Sequence, residues 1–284
     1  MVKQRFDWID IIVYSVLGIL AITMLYPFLN MLAVSFAPIE EVMENSSMVF
    51  VKNPTLNAYR YIFKYGTFSD ATRVTLFLVV VGTALNIAFM TLTAFALAKK
   101  DLPGVKFFLK FMIATMIFHG GIITAYILYR NLGLLNTIWV LIIPGLIDGY
   151  WTILYRNYIM GIPDSLLEAA RIDGSGEFRI MTTIVLPLCT PILATLVLIF
   201  GVAHWNAYTG AIMYITDSSL MPLQVIIRNL YSASTVGELD DGTRPPMETI
   251  RAAAIMLTTF PIIVAYPFLQ KYFVKGIKMG AVKG

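Results

Sequence analysis

One short stretch of this sequence is dense in ionisable side chains. Between Glu168 and Arg179, in EAARIDGSGEFR, three acids and two arginines share a dozen positions, with long apolar stretches on either side. Carboxylates and guanidiniums at that density can do acid–base work, pair with one another, or present a charged face to a partner. The residues that would make the cluster catalytic are missing. The two histidines, His119 and His204, belong to no H-E-x-x-H pattern, and Gly174-Ser175-Gly176 lacks the spacing of a G-x-S-x-G turn. No Cys/His ligand spacing occurs, Cys189 being the only cysteine. No G-x-x-x-x-G-K-[ST] loop is present to cradle phosphates. The chain is therefore expected not to be an enzyme and to hold no metal or cofactor itself. Capping, pairing and docking remain.

The local pattern predicts how these groups are held. Ser165 with Glu168 three positions later reads as a capping box, each side chain taking an orphan amide at a helix start. Leu166, Leu167, Ala169 and Ala170 continue that helix, and Gly174 stops it with access to the left-handed region. Ser175 can cap a second helix in which Phe178, Met181 and Val185 share one face. Leu186-Pro187 then leads back into apolar sequence. The expectation for 162–187 is helix, glycine turn, helix.

The elements around this bracket are set by hydropathy. The chain has 284 residues, only 13% of them charged, about half the ~25% of soluble domains, and its mean hydropathy is +0.76. Uncharged runs of 29, 25, 19 and 19 residues lie between Asp10 and Glu40, Arg73 and Lys99, Lys110 and Arg130, and Arg251 and Lys271. A span needs roughly 20 apolar residues. Six spans are expected, near 11–35, 74–98, 108–128, 135–156, 184–205 and 252–271, in a single all-α, polytopic membrane domain covering 1–284. The segment 218–227, short and containing Pro222, reads as interfacial.

An even number of spans puts both termini on one side. With the N-terminus inside, the inner segments hold 13 Lys/Arg in 64 residues and the outer ones 8 in 91, which fits the positive-inside rule and selects N-in, C-in. The basic start followed by an apolar run far longer than a signal peptide's reads as an uncleaved signal anchor. The net charge of +4 is explained by residues beside the spans, and no basic–aromatic stretch points to nucleic acid. In the outer loop, NPTLNAYRYIFKYG (53–66) places Leu56, Tyr59, Ile62 and Phe63 on one helical face, either lying at the interface or meeting an external partner. Pro27, Pro144, Pro191, Pro261 and Pro267 fall inside spans, as packing kinks or as bends around a pathway.

A few polar residues fall where lipid should be. Asp148 is the one acid well inside a span; it is expected to line a pathway, to pair with Arg156, or to be satisfied by neighbouring backbone at a helix end. Asn86, and His204 with Asn206, read as glue between helices or as pathway lining.

The bracket also carries a resemblance. Glu168-Ala169-Ala170, three residues, Gly174, nine residues, Ile184, one residue, Leu186-Pro187 reproduces the EAA loop of permeases of ATP-binding-cassette importers. GGIITAYILYRNLGLLNT (120–137), WNAY (205–208) and the ending YPFLQKYFVKGIKMGAVKG (266–284) further resemble permeases for sugars and oligosaccharides. The resemblance implies a type I importer permease fold with six transmembrane helices in a bacterial cell membrane. It implies that 162–187 is the loop that docks on a nucleotide-binding subunit, with Glu168 as a polar contact and Gly174 as the turn that aims the helices. Ala169, Ala170, Leu186 and Pro187 complete the signature, and Arg171 and Asp173 can add ion pairs at its rim. The implied partners are a second homologous permease, two ATPase subunits that hold ATP and Mg, an extracytoplasmic solute-binding protein, and a carbohydrate substrate.

Sugars are bound by aromatic faces, with amides and charged groups taking the hydroxyls. Trp205, Asn206 and Tyr208 on the fifth span, Asp148, Tyr150 and Trp151 on the fourth, Tyr126 on the third and Asn86 on the second are thus the candidate pathway residues. The competing role for the aromatic ones is an interfacial belt. A rival from another class is an ion-coupled secondary transporter, although no internal repeat is visible. An intramembrane hydrolase has no constellation to support it.

Overall fold

The computed structural model describes residues 8–45, 47–65, 67–232 and 247–281, and among them every regular element is a helix. In chain order these are α1 (Trp8–Phe36), α2 (Ile39–Glu44), α3 (Asn57–Tyr65), α4 (Phe68–Ala98), α5 (Val105–Ile117) and α6 (Gly121–Asn131). Two 3₁₀ turns, Ile138–Leu141 and Ile143–Gly145, precede α7 (Gly149–Ile159), α8 (Asp164–Ile172), α9 (Glu177–Leu188) and α10 (Thr190–Trp205). The short α11 (Thr209–Tyr214), α12 (Leu223–Ser232) and the long α13 (Met247–Ala281) complete the series. The N-terminal basic residues at 1–7, the loop 233–246 and the last residues 282–284, all used in the charge count above, lie outside the described residues.

Among the described residues three helices are long and apolar enough to cross a membrane: α1, α4 and Met247–Val264 of α13. The other three expected spans are not straight helices. Each is a bent pair: α5 with α6 at 120°, the 3₁₀ segment with α7 at 47°, and α9 with α10 at 83°. Counting each pair as one span gives up to six. The breaks have local causes. Between α5 and α6 the chain passes Phe118-His119-Gly120 and restarts at Gly121 with φ +76°, which a helix cannot continue through. Pro144 lies in the 3₁₀ turn before α7, and Pro191 in the first turn of α10, just after the break at Cys189. Pro27 and Pro261, by contrast, sit inside unbroken helices.

The described chain forms two compact units, one drawn from 1–69 and 227–262 and the other from 70–226 and 263–284. In the first, Ala33, Val34 and Ala37 at the end of α1 pack with Val42, Met48 and Ala252. Both Glu41 carboxylate oxygens close the following loop, accepting from the Lys52 and Asn53 amides at 2.9 and 2.8 Å. These bonds, Lys52's first, hold its pKa below the usual carboxylate range. The amphipathic segment 53–66 does form α3, but it is docked rather than lying free. Ala58 and Ile62 are buried, and the Tyr59 hydroxyl lies 2.8 Å from Ser35 Oγ. Leu56 and Phe63, which the pattern puts on the same face, are about half exposed.

The second unit holds the larger core. Met90, Ala94 and Phe95 of α4, Tyr155 and Ile159 of α7, Ile180, Met181 and Val185 of α9, and Leu196 and Phe200 of α10 form one cluster around Cys189. Burial against lipid offers these helices little hydrophobic drive, so close packing and interhelical hydrogen bonds must hold them. The expected interfacial segment 218–227 is docked here too: Leu223 N donates to Thr75 Oγ1 at 2.9 Å, and Leu223 and Val225 are buried.

Candidate functional site

The charged stretch folds as a helix–turn–helix bracket, α8 and α9, but its caps are not the expected ones. Helix α8 begins two residues early, at Asp164, after Pro163, with no side-chain cap bond. Ser165 therefore lies inside the first turn and the Ser165–Glu168 capping box does not form. Helix α9 is preceded by Gly176, again without a side-chain bond, so Ser175 is not its cap. Instead Ser175 closes the end of α8. Its amide donates to the Ala170 carbonyl at 2.9 Å, while the Gly174 amide donates to Arg171 at 3.0 Å. With Gly174 at φ +79°, this is the paired geometry of a left-handed helix stop.

The bracket's side chains divide by face. Leu167, Ala170 and Ile184 pack on the core cluster, and Leu186 is half-buried. Glu168, Ala169, Asp173 and Pro187 are exposed. Phe178 was expected on the packed face with Met181 and Val185, yet it is 70% exposed, and Ile180 fills the core in its place. Arg171 does form an ion pair, donating through Nε to Glu177 Oε1 at 3.2 Å. Asp173 forms none among the described residues.

Two lysines that the sequence reading passed over complete the picture. Lys99 Nζ lies 2.9 Å from Glu177 Oε2, and Lys100 Nζ 3.0 Å from Asp164 Oδ2. A groove of about 510 Å³ runs between the end of α4 and α8, lined by Phe95, Lys99, Asp101, Leu167, Glu168 and Arg171 among others. Hydrogen bonds from Lys99, and then Arg171, hold the Glu177 carboxyl below its ordinary pKa. That stabilisation is present above the ordinary carboxylate pKa and is lost as pH falls through the lowered one, so the network is intact at neutral pH. The available signal was two lysines directly after a span and an acid opening each bracket helix.

Inside the apolar region the polar residues regroup. Asn86 Nδ2 donates to the Gly145 carbonyl, freed where the chain breaks before α7. Its Oδ1 lies 2.8 Å from His204 Nε2, and since Oδ1 can only accept, Nε2 carries the proton. Three segments thus meet through one amide: α4, the 3₁₀ turn and α10. Helix α4 is wound as a π turn over Leu78–Gly82, and a Cβ at Gly82 would fall 2.6 Å from His204 Nε2. Asn86 and His204 therefore bond across helices. Asn206 instead donates to Val202 of its own helix, at 2.9 Å.

Asp148 does not pair with Arg156. Eight residues of helix separate them, about 12 Å, and Asp148 caps α7 by accepting from Trp151 N at 2.9 Å. Arg156 donates to the Leu97 carbonyl at 2.7 Å and to Asn157. Asp148→Ala is expected to cost about 1 kcal/mol, the usual worth of such a cap, seen as a lower unfolding midpoint in detergent. Asp148→Asn should be close to neutral; an equal loss in both would make the charge, not the cap, responsible.

The candidate pathway aromatics are not one cluster. Trp205 is buried, its Nε1 without a hydrogen-bond partner among the described residues, and Tyr208 precedes α11. Tyr150 is more than half exposed and meets Trp151 edge-on at 5.0 Å. Tyr126 stands 6.2 Å from Tyr214, which also meets Tyr129 edge-on at 5.1 Å. The Tyr126–Tyr129–Tyr214 group was not foreseen, because Tyr214 lies nearly ninety positions away from Tyr126 in sequence.

A helical membrane chain with broken spans and a charged bracket between two of them has the build of a transporter subunit. Residues 83–279 match the family described as binding-protein-dependent transport system inner membrane component, and the chain belongs to that family. It is 37% identical over 280 residues to the polygalacturonan/rhamnogalacturonan transport system permease protein YtcP of Bacillus subtilis, covering 97% of this chain and 98% of that one. Protein LplC of the same organism is 40% identical over 271 residues, 94% and 92% of the two chains. A chain of a bacterial ABC transporter involved in the import of the acidic polysaccharide alginate superposes with a TM-score of 0.89, at 29% identity, covering 96% and 99%. The resemblance to ATP-binding-cassette permeases, read from the EAA loop, is borne out.

Proposed function

We propose that the chain is a permease subunit that carries carbohydrate oligomers across a bacterial cell membrane, driven by ATP hydrolysis in separate subunits. The observation that supports this best is the likeness along nearly its full length to a permease named for pectic polysaccharide transport and to a chain of an alginate importer. The three polysaccharides in those names all contain uronate residues, so short acidic oligosaccharides head the candidates.

In this reading 1–284 is one permease domain with six spans, N-in and C-in, and the bracket faces the cytoplasm. It assembles with a second permease, two nucleotide-binding subunits and an extracytoplasmic binding protein. ATP binding closes the nucleotide subunits, moves the bracket and opens the pathway outward; hydrolysis and product release reset it. Glu168, Ala169, Arg171, Asp173 and Gly174 form the docking face, Ala170 seats it on the core, and Leu186 and Pro187 join it to α10. Trp205, Asn206, Tyr208, Tyr126, Tyr150 and Trp151 are candidates to meet sugar. Asn86 and Asp148 act instead as joints of the pathway wall.

The test joins uptake and docking. Proteoliposomes holding the complete complex should take up oligogalacturonides or alginate oligomers only with ATP and binding protein. Uptake driven by an ion gradient without ATP would instead make the chain a secondary transporter. In a Cys189→Ser background, Ala169→Cys should cross-link to a cysteine in the ATPase cleft in a nucleotide-dependent way. An assembled complex that gives no cross-link in any nucleotide state removes the docking assignment.

A further inference from the structure

Lys99 and Lys100 follow directly on the last residue of α4, and each finds an acid more than sixty positions away. Those acids, Asp164 and Glu177, open the two bracket helices, where a carboxylate also favours the helix dipole. That dipole explains an acid at each start, but not why both reach across to α4. Lys99 takes Glu177 Oε2 at 2.9 Å while the other oxygen of the same carboxylate takes Arg171 at 3.2 Å, so Glu177 bridges α4 to the last turn of α8. Lys100 holds Asp164 at 3.0 Å. Lys99 is the better sheltered lysine, its side chain 28% exposed and its ammonium 5.0 Å from the centre of the Phe95 ring.

The bracket is joined through the chain only to α7 and α10, so a push on it reaches those helices covalently. Helix α4 is not on that path. Leu167 and Ala170 pack against the core cluster to which α4 contributes Met90, Ala94 and Phe95, but apolar contact is non-directional and permits sliding. Two ion pairs, one at the start of each bracket helix, fix both position and angle. We propose that Lys99 and Lys100 are positioning residues that clamp the bracket to the end of α4, so that the two move as one body when the ATPase pushes. This rests on the docking role proposed for the bracket. The consequence lies deeper in the membrane. Asn86 is thirteen residues up the same helix, about 20 Å, and joins α4 to the broken segment at Gly145 and to His204. A clamped α4 carries the push to that junction.

The distance measurement needs no known substrate. In the Cys189→Ser complex, nitroxide labels at Leu102→Cys, beyond the end of α4, and Ile172→Cys, at the tip of α8, report the distance across the clamp. That distance should stay fixed between nucleotide-free and ATP-trapped states. In Lys99→Gln/Lys100→Gln it should broaden and become nucleotide-dependent. Uptake per ATP hydrolysed, with an oligosaccharide that the uptake panel identifies, should fall about fivefold or more, the lower range of coupling between sites. The Ala169→Cys cross-link to the ATPase should survive, separating loss of the clamp from loss of docking. Lys100→Asp alone should weaken coupling and Lys100→Asp/Asp164→Lys should restore it. A wild-type distance that shifts with nucleotide overturns the proposal, as does a glutamine variant that stays rigid, or a reversal that fails to restore coupling. Should the glutamine variant not assemble, Lys99→Arg/Lys100→Arg must keep the fixed distance, and its loss there also overturns the clamp. Absence of the cross-link in the wild-type complex removes the docking reading and the clamp with it.

Discussion

Gly174→Val is expected to reduce ATP-driven uptake about tenfold or more while membrane insertion and complex abundance stay near wild type. The residue has φ +79°, a conformation that costs an L-residue roughly 1–2 kcal/mol, and more when the side chain is β-branched. That range alone is about a five- to thirtyfold change in the population of the observed turn. Nothing lies within 4 Å of a Cβ built there, so the penalty is backbone strain and not collision. Relieving it means giving up the two bonds that close α8, Ser175 to Ala170 and Gly174 to Arg171, and α9 then leaves at another angle. Gly174→Asn separates the causes, because asparagine tolerates this backbone region. It should retain most uptake, with valine and alanine well below it. If asparagine is as damaging as valine, the turn conformation is not what matters and a direct contact at Gly174 takes its place.

Gly82→Ala is expected to lower the thermal midpoint of the detergent-purified protein by several degrees and to damage uptake with it. The new Cβ would sit 2.6–2.9 Å from three atoms of the His204 ring, a distance real contacts do not show. The ring must move, and doing so parts His204 from Asn86 Oδ1. Overpacking a tight site typically costs about 1–3 kcal/mol. The interhelical bond adds about 0.6–2 kcal/mol, the range measured for polar contacts between membrane helices. A double variant gives the mechanism. With His204→Ala already in place the obstacle is gone, and Gly82→Ala should cost little further. Additive losses would show that Gly82 serves the π turn itself and not the close approach of the ring.

What could be read without coordinates followed how local the information was. The apolar stretches were visible because a span is a property of some twenty adjacent residues, and the bracket because its signature lies within one loop. Gly174 as a left-handed stop was legible for the same reason, since a helix end is decided by the residue that must leave it. The caps were not. Ser165 and Ser175 have the right side chains, but Pro163 and Gly176 already set the backbone at the two helix starts.

Pro144 and Pro191 marked two of the three breaks in advance, but neither the size of the bends nor the break at Gly121 was visible, because a hydropathy window sums over a bend of 120° as readily as over a straight helix. Asp148 shows the same limit at one residue. The sequence left it as pathway lining, partner of Arg156 or a helix-end residue satisfied by backbone, and the start of the helix at Gly149 selects the last.

The sequence by itself determined the class of this protein: an all-helical membrane chain with a charged bracket between its later spans. Hydropathy, charge spacing and one short signature suffice for that, because each is written in neighbouring residues. Only the tertiary structure decided the pairings. Lys99 meets Glu177, Lys100 meets Asp164, and Asn86 meets both the Gly145 carbonyl and His204. Each pairing joins residues roughly sixty or more positions apart, and which acid a lysine reaches depends on where packed helices bring their ends. The aromatic candidates were dispersed by the same rule, since a ring's neighbours are set by helix contacts that no local pattern contains.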